Sequence, residues 1–266
     1  MRSSPTTTSW PNTSTAGSRR ASVGEGRPAN PFARSLRILP LGDRAILVEF
    51  GSAIDEQTRL LVRASFEQLS SVSIAGVLDV VPGFASIAVH YDPAQVSRAV
   101  GATPHVAISE SVEEVLRAAV TTPGGEPRLV EIPVCYDPSL APDLDEVAAH
   151  AHLTPAQVVE LHCAPDYVVH MIGFLPGFPY LGGLDPRLTT PRRSSPRTRV
   201  PAGSVGIGGS QTGVYTIDSP GGWQLIGRTA VRLFDVERDP PTVLRIGDKV
   251  RFRPVTLAEH RAAGGA

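Results

Sequence analysis

Residues 173–228 read GFLPGFPYLGGLDPRLTTPRRSSPRTRVPAGSVGIGGSQTGVYTIDSPGGWQLIGR. Glycine and proline are interleaved here with single aromatics and closely spaced arginines. A helix cannot persist through such a run, because proline removes a donor and glycine costs backbone entropy. A flexible linker is excluded as well. Linkers are polar, whereas Phe174, Phe178, Tyr180, Tyr215 and Trp223 need somewhere to be buried. The stretch is therefore an ordered, turn-rich surface between short strands, the kind of surface on which binding residues collect.

Working outward, Tyr167–Ile172 is an apolar strand that delivers the chain into this stretch. Before it, Thr154-Pro155 opens a helix that runs to His162, with Thr as N-cap and Pro at the first helical position. Pro142-Asp143-Leu144-Asp145 opens another, through Val147 to His150. Leu129–Tyr136 is a strand. Downstream, Ala230–Asp235, Leu244–Ile246 and Val250–Pro254 read as strands, with Gly247-Asp248 a tight turn. Many short strands joined by glycine turns predict a mostly-β, barrel-like or sandwich domain over 129–256. Residues 121–128, TTPGGEPR, mark a boundary. Ahead of it the order is ββαββα. The strands are Arg37–Pro40, Ala45–Phe50, Gly76–Pro82 and Phe84–Tyr91. One helix is capped by Asp55 and carries Leu60, Leu61, Ala64 and Leu69. A second runs near Ser111–Val120. This predicts a small α+β domain over 36–122. Residues 1–33 have the Ser, Thr, Pro, Gly and Arg content of a disordered tail, or of a start codon placed too far upstream. Residues 257–266 read as a C-terminal tail.

Composition narrows the function classes. The 266 residues are 41% hydrophobic and 19% charged, a globular balance. A formal net charge of −1 gives no argument for nucleic acid. Lys249 is the only lysine, so lysine-dependent chemistry would rest on it alone. Cys135 and Cys163 have no CxxC spacing, which speaks against a zinc site or a disulfide framework. No apolar run approaches the roughly 20 residues of a membrane span, and no secretory h-region is visible. A cytoplasmic protein without membrane or metal fits these features.

The chemistry-bearing candidates lie in the central stretch. There is no Walker loop and no GxSxG elbow. His150 and His152 point apart on a helix and make no metal pair. Arg192 and Arg197 each follow a proline, which stiffens the chain before a planar fork suited to carboxylates and phosphates. Solvated surface arginines are the alternative. Gly203-Ser204-Val205-Gly206-Ile207-Gly208-Gly209 reads either as a backbone nest for an anion or as glycines permitting positive φ at a barrel corner. Gln211, Thr212, Ser219 and Tyr180 are further substrate-contact candidates. Trp223 either walls a pocket or plugs a core. His162, at a helix end, is a weak candidate for a general base against a structural role.

GFLPGFPYLGGL (173–184), PRRSSPRTRVPAGSVGIGGSQTGVYTIDSPGGWQLIGRT (191–229) and GDKVRFRP (247–254) closely resemble one bacterial family. It contains a component of ATP-dependent 5-oxoprolinase, the allophanate hydrolase subunit 1 proteins and the inhibitor of a sporulation histidine kinase. The resemblance extends through Ile132-Pro133-Val134, His162 and Tyr167-Val168, and more weakly to Gly42-Asp43, so that residues 36–256 are covered. Thr216 departs from it, standing where relatives commonly carry proline. The resemblance implies an α+β N-terminal domain and a cyclophilin-like C-terminal barrel. It implies a heteromeric enzyme with two partner subunits that opens 5-oxo-L-proline to L-glutamate. ATP and Mg²⁺ are expected at the level of the complex, with neither assigned to this chain, which would be inactive alone. Two other roles accompany it: a regulator that binds a sensor kinase, and a carboxyltransferase-type subunit in urea or allophanate metabolism.

Overall fold

The computed structural model describes residues 36–52, 55–96, 102–118 and 127–265. The expected tail over 1–33 and most of the expected boundary segment lie outside these residues.

The first part is a four-stranded antiparallel sheet with two helices on it. Its elements are β1 (Arg37–Pro40), β2 (Ala45–Glu49), α1 (Glu56–Ser71), β3 (Val77–Pro82), β4 (Ser86–Tyr91) and α2 (Pro104–Arg117). The strand order is β1-β2-β4-β3. Asp55 caps α1 by accepting from the Thr58 amide at 2.7 Å, as its position predicts. The second helix starts well before Ser111. Thr103-Pro104 places proline at the first turn, where a missing amide costs nothing, and Ile108 joins Val112 and Leu116 on the buried face. That face and Val62 and Leu69 of α1 pack on Ile46, Val48, Ile87 and Val89 of the sheet.

The second part runs through β5 (Leu129–Cys135), α3 (Leu144–Ala151), α4 (Pro155–Cys163), β6 (Tyr167–Ile172) and β7 (Pro179–Gly182). It continues with β8 (Arg197–Val200), β9 (Ser204–Gly208), β10 (Gln211–Val214), β11 (Ser219–Gly221), β12 (Gln224–Arg228), β13 (Lys249–Val255) and α5 (Leu257–Ala262). Seven strands close into a barrel in the order β10-β7-β6-β13-β5-β12-β9, and β8 with β11 forms a separate ribbon. The last strand, β13, lies parallel to β5 and antiparallel to β6. Ile132, Val134, Tyr167, Val169, Leu181, Val205, Ile207, Ile226 and Phe252 build the core, with Leu144 and Val147 of α3 and Val158 of α4 packed into it. A Thr154–Gln157 capping box starts α4.

Two expected strands are absent among the described residues. The segments 230–235 and 244–246 are irregular, and the first holds only a single bridge, from Phe234 to Thr242. Alternation alone over-reads such short apolar pieces when an internal Asp-Pro-Pro run bends the chain between them. The expected C-terminal tail instead folds its first residues into α5. Thr256 and Glu259 form a second capping box there, and His260 is buried.

The sheet and the barrel touch. The Phe84 ring meets Tyr180 edge-on at 5.5 Å, and the Arg63 guanidinium lies against Gly247.

Gly203 turns the chain into β9 with φ +82°, and a β-carbon there would collide with the Thr229 carbonyl oxygen. Gly203→Ala is expected to cost about 2 kcal/mol or more, from left-handed strain and forced repacking together. Urea denaturation reads this directly, and an unchanged midpoint would show that the corner yields freely.

Candidate functional site

Asp143, just ahead of α3, is 3% exposed. Its Oδ1 accepts from Arg197 Nη2 at 2.6 Å and from Arg193 Nη1 at 3.2 Å. Its Oδ2 accepts from the Leu225 amide at 2.6 Å, and its own amide donates to the Leu225 carbonyl at 2.9 Å. Two further bonds fasten the arginine segment to β12 and its approach. The Arg193 amide donates to the Gly222 carbonyl at 2.7 Å, and Gln224 Nε2 donates to the Pro191 carbonyl at 3.1 Å. Two guanidinium groups thus converge on one buried carboxylate. Four buried polar atoms on this segment and on the strands tied to it have no hydrogen-bond partner in the protein: Arg193 Nε, Arg197 Nη1, Ser219 Oγ on β11 and Gln224 Oε1 on β12. Buried polar groups are nearly always paired, so these orphans single the arginine segment and its partner strands out as a candidate site.

Aromatics back this cluster. Phe178 lies edge-to-face against Tyr180 (5.0 Å), Tyr215 (5.2 Å) and Trp223 (5.5 Å). The Arg192 guanidinium sits 5.9 Å from the centre of the Trp223 ring, a cation–π distance. Trp223, 5% exposed, is therefore both plug and wall. Burial raises the Tyr180 hydroxyl above its ordinary range, and Arg192 partly offsets this.

The glycine run serves the tryptophan. A β-carbon on Gly208 would stand 2.5 Å from the indole, and Gly206 and Gly213 are also crowded by Trp223. The Gly203, Ser204 and Gly209 amides donate to the carbonyls of Tyr215, Pro201 and Thr190. These donors are engaged, so the run is barrel wall rather than an open nest. Gly203 and Gly209 do take positive φ at its two ends, as the corner reading requires.

His162 and Thr212 belong to the interior. Both are fully buried. The His162 ring stacks on Phe252 at 4.7 Å. Thr212 Oγ1 donates to the Gly206 carbonyl at 3.1 Å, so it accepts from His162 Nε2 at 2.9 Å. The Nδ1 atom then accepts from the Tyr136 hydroxyl at 2.8 Å, and that oxygen accepts from Cys163 Sγ at 3.3 Å. Both ring nitrogens are occupied, and burial pushes the pKa down to about 3. The histidine thus has a structural place, away from solvent. Of the residues that stand out in the sequence, the structure gathers Arg192, Arg197, Trp223 and Tyr180 about one cluster, and Ser219 lies on β11, the strand paired with the one that carries Arg197. Gln211 is half-buried on the barrel strand β10, opposite Gly208. Asp143, Arg193 and Gln224 do not stand out in the sequence as site residues. The doubled arginine is a signal for Arg193, but a lone aspartate at a helix start looks like any cap. Among the described residues no group of three His, Cys, Asp or Glu side chains is placed to hold a metal, and no helix is long and apolar enough to cross a membrane.

Residues 36–244 match the family model described as carboxyltransferase domain, subdomain C and D, and the chain belongs to that family. Within it, the chain is 43% identical over 229 residues to the 5-oxoprolinase component designated B of Bacillus subtilis, covering 85% of this chain and 95% of that protein. It is 43% identical over 216 residues to the component of the same designation in Escherichia coli O157:H7, covering 80% and 94%. Among solved structures, TTHA0988 superposes with a TM-score of 0.69 at 37% identity over 80% of this chain, which spans about 40% of the TTHA0988 chain.

Removing the central carboxylate should be costly. Asp143→Ala leaves the half-buried Arg197 without its carboxylate, Arg193 with only the exposed Glu146, and the Leu225 amide without its side-chain acceptor, and should cost about 3 kcal/mol, whereas Asp143→Asn keeps an acceptor for the Leu225 amide and should cost less. Thermal melts of both variants check the order. The buried histidine governs the response to acid. The unfolded chain protonates His162 near 6.5, while the folded chain holds it neutral down to about 3. The folded state therefore loses stability as pH falls from 6.5 toward 3, at up to about 1.4 kcal/mol per pH unit. Urea denaturation across pH should show that slope diminished in His162→Gln relative to wild type. An identical slope in both would assign the proton to another group.

Proposed function

We propose that this chain is a subunit of a heteromeric, ATP-dependent 5-oxoprolinase that opens 5-oxo-L-proline to L-glutamate together with two partner subunits. One observation carries the reading: the 43% identity that extends over 95% of the Bacillus subtilis 5-oxoprolinase component. Hydrophobic clusters confined to one part or the other support a division into an α+β domain over 36–122 and a barrel domain over 129–256.

The arginine cluster supports a definite part in the chemistry. A five-membered lactam is a poor electrophile, and ATP supplies the complex with a phosphoryl group able to convert its oxygen into a leaving group. Arg193 and Arg197 are held by Asp143 with donors left over, which suits them to clamp an anionic group without reorganisation. Arg192 over Trp223 adds positive charge at the same wall. Among the described residues the unpaired Ser219 hydroxyl accompanies these clamps, and the nearby Asp143 and Glu146 carboxylates are paired to arginine rather than free to activate water. The chain is thus half of a shared site, and the partners supply water activation. ATP and Mg²⁺ are assigned to the complex as a whole.

The chain alone should release no glutamate from 5-oxoproline, and release should appear when the partner subunits, ATP and Mg²⁺ are added. Turnover by the chain alone would sink the shared-site reading. In the reconstituted complex Arg197→Lys should fall nearly as far as Arg197→Ala, since an ammonium cannot hold Asp143 and an anion as a planar fork does. The expected loss is about one to two decades in kcat/KM, or about 1.5–3 kcal/mol. Circular dichroism serves as the folding control, and folded variants with wild-type kinetics would remove the arginine from the site.

A further inference from the structure

The four orphaned atoms have a donor–acceptor pattern that a single anion cannot satisfy. Arg193 Nε and Arg197 Nη1 are donors only. Gln224 Nε2 is engaged by the Pro191 carbonyl, so its free Oε1 is an acceptor only. Ser219 Oγ can do either. Ser219 and Gln224 are 7% and 4% exposed, so neither is readily satisfied by bulk water. Charge adds a second condition. Asp143 and, at 3.7 Å, the exposed Glu146 offset the Arg193 and Arg197 charges, so the surplus positive charge at the cluster comes from Arg192 over Trp223. The missing partner must therefore carry an anionic acceptor for the arginines and a neutral N–H donor for Gln224.

Resting on the 5-oxoprolinase reading, we propose that Arg193, Arg197, Ser219 and Gln224 form the subsite that holds a cyclic amide bearing a neighbouring carboxylate. The carboxylate lies on the two guanidinium groups and the ring N–H donates to Gln224 Oε1. A fully ionised phosphoryl group fits less well, because its oxygens would face the Gln224 carbonyl lone pairs. On this assignment the chain anchors the lactam, and the phosphoryl donor approaches from elsewhere in the complex.

The test is calorimetric titration of the full chain with 5-oxo-L-proline, with the γ-lactone carboxylate that has a ring oxygen in place of N–H, with 2-pyrrolidinone, and with inorganic phosphate. The lactam carboxylate should bind saturably, the lactone at least about tenfold more weakly, and the other two should not compete. Gln224→Leu should bring lactam and lactone to equal affinity, while Arg197→Lys weakens both. The KM of the reconstituted complex for 5-oxoproline should rise in both variants. If the free chain binds nothing, a raised KM in Gln224→Leu complexes still supports the subsite as one completed by a partner. Equal binding of lactam and lactone by the wild-type chain overturns it, as does displacement by phosphate. Absence of binding together with an unchanged KM in Gln224→Leu complexes also overturns it. In these cases a complex that still opens 5-oxoproline leaves the proposed function standing without this subsite. A complete wild-type complex that cannot open it removes the proposed function itself.

Discussion

One buried carboxylate sets the geometry of the candidate site. Asp143 joins three segments that are remote in sequence: the start of α3, the arginine stretch about 50 residues on, and the Leu225 amide 82 residues on. Backbone bonds from Arg193 to Gly222 and from Asp143 to Leu225 hold the same segments together, and the carboxylate fixes the side chains between them. The Pro-Arg-Arg-Ser-Ser-Pro-Arg stretch has no regular structure before β8, and its conformation comes from what it is tied to. A carboxylate with a backbone donor on one oxygen and two guanidinium groups on the other is well satisfied despite its burial, and its partners are fixed in direction. The unpaired nitrogens of Arg193 and Arg197 are oriented as a result. Pre-orientation of this kind is what makes a polar cluster a binding site, because the cost of ordering the side chains is met during folding.

The glycine-rich stretch contributes by what it lacks. Strand β9 and its neighbour β10 run beneath Trp223, and the indole fits only because Gly206, Gly208 and Gly213 have no side chains. That placement lets the aromatic face come up under Arg192 while the ring edge packs on Phe178. Gly206 and Gly208 lie on β9, which pairs with β10 on one side and β12 on the other, and Gly213 lies on β10 between β9 and β7. Core packing and site construction are thus one arrangement.

Much of this is legible in the sequence, and the parts that are not have physical reasons. The helix starts at Asp55 and Thr154 can be read because a cap is a local bond between residues three apart. The strands up to β6 can be read from apolar runs with clear turn punctuation. The start of α2 escapes such a reading because its first turn, Pro104 to Ala107, buries little, so the periodicity becomes visible only further on. The strands expected at 230–235 and 244–246 fail because an apolar run needs an available neighbour, and the barrel is already closed by seven others. Arg192 and Arg197 stand out by their prolines. Asp143 does not, because its role depends on partners 50 residues and more away, and no local pattern encodes such a distance. The glycine run shows the limit most plainly: a nest and a seat for an indole require the same residues.

The position of β13 bears on how the protein is made. That strand sits between β5 and β6, so the first two strands of the barrel to be synthesised are separated by the last. Until residues 249–255 leave the ribosome, β5 and β6 each present an open edge with no partner between them. Phe252, which covers one face of the His162 ring, is absent as well. Water then reaches an imidazole that the finished barrel keeps dry. Closure is a long-range event that waits for the last strand of the barrel, which makes it slow and leaves an interval in which strand edges can pair with other chains. The strand edges of a nascent chain are accordingly open to mispairing until that strand emerges, and truncation ahead of Lys249 removes the keystone of the barrel rather than an ornament of its surface.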